Sequence, residues 1–264
     1  MKLSKLVGLG LTSLAVSSLV AATAISQTFS DRRGVATNPA AASKQNLKQA
    51  KKAIAKVELI EARPVLIKPS GASRERPARV GMNLRIADVI RTARNGRTQV
   101  EFDNGVAFRI GGNSILEIQP QNQLKFNKGN MITWVKPGRK VPAKIITPVA
   151  TAAIRGTTAF VEIPEDVETK GIRIFSWEGD VAVSLNSDPS QEVLLTTGEE
   201  LIIMPDATEL PPVRRLSMEE WQNRIGKADF LHSFDDPLPT LPTINQLLPG
   251  QSSPEDPVPG AEME

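Results

Sequence analysis

Apolar and polar residues alternate most cleanly around Asp103-Asn104-Gly105. Val100 and Phe102 share one face before this turn, and Val106, Phe108 and Ile110 share one face after it, as in two half-buried strands. A two-residue loop at Asn104-Gly105 would pair Phe102 with Ala107 and Val100 with Arg109, mixing core and solvent positions on one face. A three-residue loop from Asp103 to Gly105 pairs Phe102 with Val106 and Val100 with Phe108, and sets Gly105 at the left-handed bulge position. In that register Arg109 points away from the apolar face, and Lys125 likewise points away from Leu124 and Phe126. Both cations are therefore expected on an exposed face. Gln99 and Glu101 share the outer face of the hairpin, with Glu101 in diagonal reach of Arg109.

Short β-branched runs broken by Gly, Asn, Pro and Asp continue to about Met204, with strands expected at 115–118, 124–126, 131–135, 143–147, 159–163, 172–176, 181–185, 193–196 and 201–204. No helical interval of 10–15 residues separates them, which predicts an all-β, sandwich or roll-like antiparallel domain over 63–212 rather than a parallel α/β sheet. Gly111-Gly112-Asn113 reads as a turn, and Glu178-Gly179-Asp180 as the turn of a second hairpin. Upstream, in the basic Ala/Lys-rich segment 25–62, Leu47, Ala50, Ile54 and Val57 fit one helical stripe flanked by lysines. That helix is either a solvated linker or a weak membrane-surface contact through 44–60. Downstream, Ser217-Met218-Glu219-Glu220 is a capping box opening a helix within 213–234, whose Trp221, Ile225, Ala228 and Phe230 would dock on the domain. Residues 235–264 are Pro-rich with six acids and no Lys or Arg, the composition of a disordered acidic tail.

The N-terminus bears on location. Lys2 and Lys5 precede an apolar run from Leu6 to Val20, and Ala22-Thr23-Ala24 follows, so residues 1–24 have the order of a secretory signal cleaved after Ala24. The alternative is an uncleaved membrane anchor. No Cys follows the run, which excludes a lipoprotein anchor on cysteine. Either way the expected location is the periplasm or cell envelope.

Composition narrows the chemistry. With no Cys, no Tyr and one His in 264 residues, disulfides, thiolate metal sites and cysteine catalysis are excluded. His232 lies among Asp229, Asp235 and Asp236, but acids beside a Pro-rich stretch read as a helix end meeting solvent rather than a metal site or catalytic dyad. No nucleophile elbow, zinc-protease motif, phosphate loop or calcium loop occurs. The expectation is a non-enzyme without a cofactor, and the net charge of +3 gives no case for nucleic acid. Charge is unevenly spread: 62–155 holds seventeen basic and five acidic residues, and 156–234 holds six basic and fifteen acidic. The halves either neutralise each other across the sheet or leave a basic surface for a polyanion, with Arg109 and Lys125 as contact residues.

Six ordered elements then resemble one family. They are Leu84 to Thr92, Gln99 to Gly105, Ser114 to Ile118, Thr147 to Thr157, Glu178 to Val183, and Thr197-Gly198-Glu199-Glu200. In order and spacing they resemble the FecR domain, the extracytoplasmic part of bacterial regulators coupled to surface signalling, over about 80–204. Asp103, Asn104, Gly105, Arg155, Gly156, Thr157 and Gly179 are the positions read as fold motif rather than chemistry. The resemblance implies a non-enzymatic module that senses or relays by protein contact, with an envelope or membrane protein as partner. Family regulators carry a cytoplasmic anti-sigma segment before the membrane helix, whereas only five residues precede the apolar run here, so that output is expected to be missing. The family's association with iron uptake does not imply iron binding by a chain without Cys or Tyr. The alternative function is a glycan- or wall-associated structural protein that binds polyanions, such as an anionic glycan, through its basic half.

Overall fold

The computed structural model describes residues 52–250. The expected signal sequence, Leu47, Ala50 and the acidic residues from 251 onward lie outside them.

Two long strands form the spine. β7 (Val106–Gln119) and β8 (Gln123–Val135) pair antiparallel over almost their whole lengths, and each half of each strand has a different outer neighbour. The first half of β7 pairs with β6 (Arg97–Phe102) and the second with β5 (Val89–Thr92). β8 starts in parallel with β9 (Pro142–Ile146) and ends antiparallel to β11 (Thr158–Ile163). This division of partners lets one mixed sheet take in all the shorter strands. The expected turn at Gly111-Gly112-Asn113 is instead a kink inside one continuous strand: Gly112 and Asn113 have φ of 67° and 60°, and the register shifts between Gly111 and Ile115. Ser114 mends the kink, since its buried hydroxyl bonds the Gly111 and Asn130 carbonyls. Gly129 must be glycine opposite it, because a Cβ there would lie 2.2 Å from Ser114 Oγ.

The remaining strands extend from this spine. β1 (Ala53–Ala62) pairs with β6 and with β4 (Asn83–Arg85), while β2 (Val65–Lys68) joins β3 (Arg76–Pro77) to β5. β10 (Ala150–Arg155), a run of small residues, links β9 to β13 (Val181–Leu185), and β14 (Glu192–Leu195) follows β13. Against the second half of β8, after the short helix α1 (Val167–Lys170), β12 (Ile172–Glu178) pairs with β11 and with β15 (Glu199–Ile203), and β16 (Arg214–Arg215) closes that edge. The all-β expectation holds, with one parallel pair making the sheet mixed.

Two local expectations change. The stripe read as a helix is strand at Ala53–Ala62: Ala55 and Val57 turn together into the core, and Ile54, beside a register shift, packs half-buried against it. A spacing of three residues between Ile54 and Val57 is compatible with a helix face, but pairing on both edges decides for the strand. A membrane-surface helix through 44–60 is therefore excluded over its second half. Glu178-Gly179-Asp180 is a tight turn, with Gly179 at φ 74°, but β12 and β13 pair with other strands rather than each other. The chain passes there from the strands attached to the second half of β8 to those attached to its first half.

Alternation along the spine serves two cores. Phe108, Ile110, Met131 and Val135 turn inward with Val100, Phe102 and Val106 into the main core. Ala107, Ile132, Trp134, Phe175 and Trp177 turn outward and are buried as well. A segment after β16 covers them: α2 (Met218–Lys227), α3 (Asp229–His232) and α4 (Leu241–Ile244) supply Trp221, Phe230, Leu231 and Ile244, and the stretch between α3 and α4 supplies Phe234 and Leu238. The capping box at Ser217 forms as expected, with Glu220 N–H on Ser217 Oγ and Ser217 N–H on Glu220 Oε2. The expected disordered tail begins too early. Residues 235–250 pack, because Leu238, Leu241, Ile244 and Leu247 bring an apolar surface that the Pro-rich, acidic composition concealed.

Candidate functional site

Arg109 was expected on a solvent face and lies fully buried. It does point outward from β7, opposite Gln99 as the register required, but outward here means into the second core. Its Nε donates to Gln99 Oε1 at 2.9 Å, Nη1 to the Phe230 carbonyl at 2.9 Å, and Nη2 to the Asp236 carbonyl at 2.6 Å. The guanidinium lies 4.2 Å from the Phe234 ring centre and 5.6 Å from that of Trp134. Burial pushes its pKa down to about 10, opposed by the Asp236 and Glu61 carboxylates, so the cation persists at neutral pH. Arg109 is a latch for the C-terminal segment, and its role as a polyanion contact is corrected. Glu101, the expected diagonal partner, pairs with Lys136 instead.

Lys125 is exposed, 3.9 Å from Glu117. Asn104 accepts from Val106 N–H, and Gly105, at φ 95°, closes the three-residue loop through its N–H on the Phe102 carbonyl. Asp103 is exposed, with its N–H on the Ile54 carbonyl. Arg155 and Gly156 are exposed at the end of β10, Gly156 at φ 72°, and Thr157 is buried with its hydroxyl unpartnered. Gly179 is held from both sides, by Thr197 Oγ1 on its N–H and Ser176 Oγ–H on its carbonyl. These positions are scattered over the fold and form no common site. His232 donates to the Ile225 carbonyl at 2.7 Å, and its neighbour Asp229 pairs with Arg97. Arg97–Asp229 and Lys128–Glu165 link the basic and acidic halves, whereas Arg91–Glu75 and Arg215–Glu199 close within one half.

What the sequence did not indicate is a cleft of about 650 Å³ between the outer face of the sheet and the helices α2 and α3. Its floor includes Phe160, Phe175 and Trp177 from β11 and β12, and the β7 kink at Gly111-Gly112 forms one end. The wall formed by α2 is fixed by charge. Glu200, almost fully buried on β15, receives Arg224 Nη1 at 2.8 Å and lies 3.4 Å from both Arg173 Nε and Arg214 Nη1, while Arg214 also pairs with Glu220. Arg224 stacks 4.5 Å from the centre of the Phe175 ring, so one side chain serves both floor and wall. Such a cleft has apolar and charged surface suited to binding, and its lining contains no Ser, Cys or His nucleophile–base pair.

Residues 88–182 match the model of the FecR protein family. The chain carries a FecR domain. Two crystal structures of a candidate anti-sigma factor from Parabacteroides distasonis ATCC 8503, at 1.65 and 2.50 Å, are similar to it. Identities are 14% and 13% and TM-scores 0.43 and 0.42, with 55% and 57% of this chain covered; the chain spans 65% and 81% of theirs. No curated protein matches the sequence. The cleft floor lies within the FecR domain, and the α2–α3 wall lies beyond it. Among the described residues no helix is long and apolar enough to cross a membrane.

Proposed function

We propose that the chain is an exported, non-enzymatic FecR-domain protein that acts by protein contact in envelope sensing or signal relay. Support comes from the FecR match at 88–182 together with a cleft whose aromatic floor belongs to that domain and whose charged wall does not. A module of this kind works by presenting a shaped surface to an envelope or membrane protein, and the expected signal sequence at 1–24 would deliver it there. The glycan-binding alternative loses Arg109 to the interior and keeps Lys125.

Affinity isolation from the native envelope tests the reading. A defined envelope protein should copurify and survive a salt wash, and mature protein should begin at Ile25. Retention on an anionic polysaccharide matrix that falls steeply with salt and weakens in Lys125→Ala, without a protein partner, would overturn it in favour of the glycan reading. An intact Met1 on membrane-held protein would replace export by anchoring.

A further inference from the structure

The cleft carries cations that the fold does not use. Arg97, Arg173 and Arg224 are committed to Asp229, Glu162 and Glu200. Lys227, at the end of α2, is exposed and makes no ion pair among the described residues. Arg94, in the exposed turn before β6, acts on Glu165 only at a distance. Both line the cleft, and so do Asn130 and Asn223, whose side-chain amides bond no described residue. The same lining includes the apolar floor at Phe160 and Trp177. Two uncommitted cations, two free amides and an aromatic floor ask for an extended ligand with carboxylates, backbone amides and an apolar side chain in one piece.

We propose that this cleft binds an extended segment of a partner polypeptide in which an apolar side chain is flanked by Asp or Glu. The apolar side chain enters over Phe160 and Trp177, the flanking carboxylates pair with Arg94 and Lys227, and Asn130 and Asn223 bond the segment's backbone. A polypeptide is favoured over a polyanionic glycan because Glu162, Glu220 and Asp229 stand on the same lining. Each is paired with an arginine, so the unpaired positive charge of the lining is confined to Arg94 and Lys227. That suits a ligand charged in two places better than one of uniform negative charge. The inference rests on the proposed function in protein contact and names the surface and the class of segment.

The probe is a random twelve-residue peptide-display library panned against the full chain, against Arg94→Glu/Lys227→Glu, and against Lys125→Ala. The first pair of substitutions lies at exposed positions, and unchanged circular dichroism confirms that the variant is folded. Wild type and Lys125→Ala should both enrich acidic peptides with an apolar anchor. The double variant should lose that enrichment at least tenfold and select Lys- or Arg-bearing peptides instead. No enrichment on the wild type, or enrichment that the double variant leaves unchanged, overturns the proposal. Heparin binding that the double variant abolishes, without peptide selection, would assign the cleft to a glycan. Should an envelope protein still copurify equally with wild type and double variant, protein contact stands and this cleft is not its surface.

Discussion

The guanidinium of Arg109 holds the carbonyl of Asp236, 127 residues further along the chain, at 2.6 Å. This bond and its neighbour to Phe230 fix the segment that covers the outer face of β7, β8 and β12. Truncation in Arg109→Ala leaves the buried Phe230 carbonyl and the part-buried Asp236 carbonyl short of a donor and removes the cation from the Trp134 and Phe234 rings. The expected loss is about 2–4 kcal/mol in denaturant unfolding, with faster proteolysis between Phe230 and Gly250. Arg109→Lys should recover less than half, because one ammonium cannot serve three divergent acceptors and two rings. A loss under about 0.5 kcal/mol for Arg109→Ala would mean that the C-terminal segment is held by apolar packing alone.

Arg109 also marks how far alternation can be followed in a sequence. The period of two correctly separates Phe108 and Ile110 from Ala107 and Arg109, and it sets the register with Gln99. It cannot say what lies beyond the outer face. That answer depended on Phe230, Phe234 and Asp236, far along the chain and partly in a Pro-rich stretch whose acids suggested disorder. A signal was nevertheless present: Met131-Ile132-Thr133-Trp134-Val135 is apolar at almost every position, the pattern of a strand buried on both faces. Ile172 to Trp177 repeats it in part, with Ile174 and Phe175 apolar on successive faces but Arg173 and Ser176 polar. The cleft had no such signal, because its floor and wall come from residues 40 or more positions apart whose meeting depends on Glu200.

Gly105 tests the hairpin. Its φ of 95° is a region that a β-branched residue avoids, and an added Cβ would also press on the Arg139 side chain at 2.7 Å. Arg139 is flexible and can retreat, so the backbone sets the cost. Gly105→Val should destabilise by about 1–2 kcal/mol, while Gly105→Asn should cost less, since Asn tolerates the left-handed region. Equal thermal midpoints for the Val variant and wild type would rule out the bulge as a determinant of register.

Glu178 gives the fold a pH dependence. Burial raises its pKa above the ordinary 4.5, and the bond from Thr158 Oγ–H only partly opposes this. The folded chain therefore keeps the Glu178 proton at pH values where the unfolded chain has released it. This contribution to stability is full below 4.5 and is lost as pH rises through the raised folded value. Glu178→Gln retains an acceptor for Thr158 and cannot ionise. Its thermal midpoint should gain on wild type as pH rises from 4 to 8 (roughly the span over which a raised glutamate titrates). A difference independent of pH would show that Glu178 titrates alike in both states.

The carboxylate of Glu200 faces three arginines, but its removal should not cost what a wholly orphaned buried charge costs. Arg173 keeps Glu162 at 2.8 Å and Arg214 keeps Glu220, so only Arg224 loses its carboxylate. Arg224 also retains the face of Phe175. Glu200→Gln preserves the shape and one acceptor and should lose about 1–3 kcal/mol, below the 3–5 kcal/mol typical when a buried pair is broken outright. The loss should be local. Because Arg224 sits on α2, hydrogen exchange should quicken in the amides of α2 and at the edge of β15, while the spine strands β7 and β8 keep their protection. Protection lost equally from the spine and from α2 would place Glu200 in the stability of the whole sheet rather than in the attachment of the wall that completes the cleft.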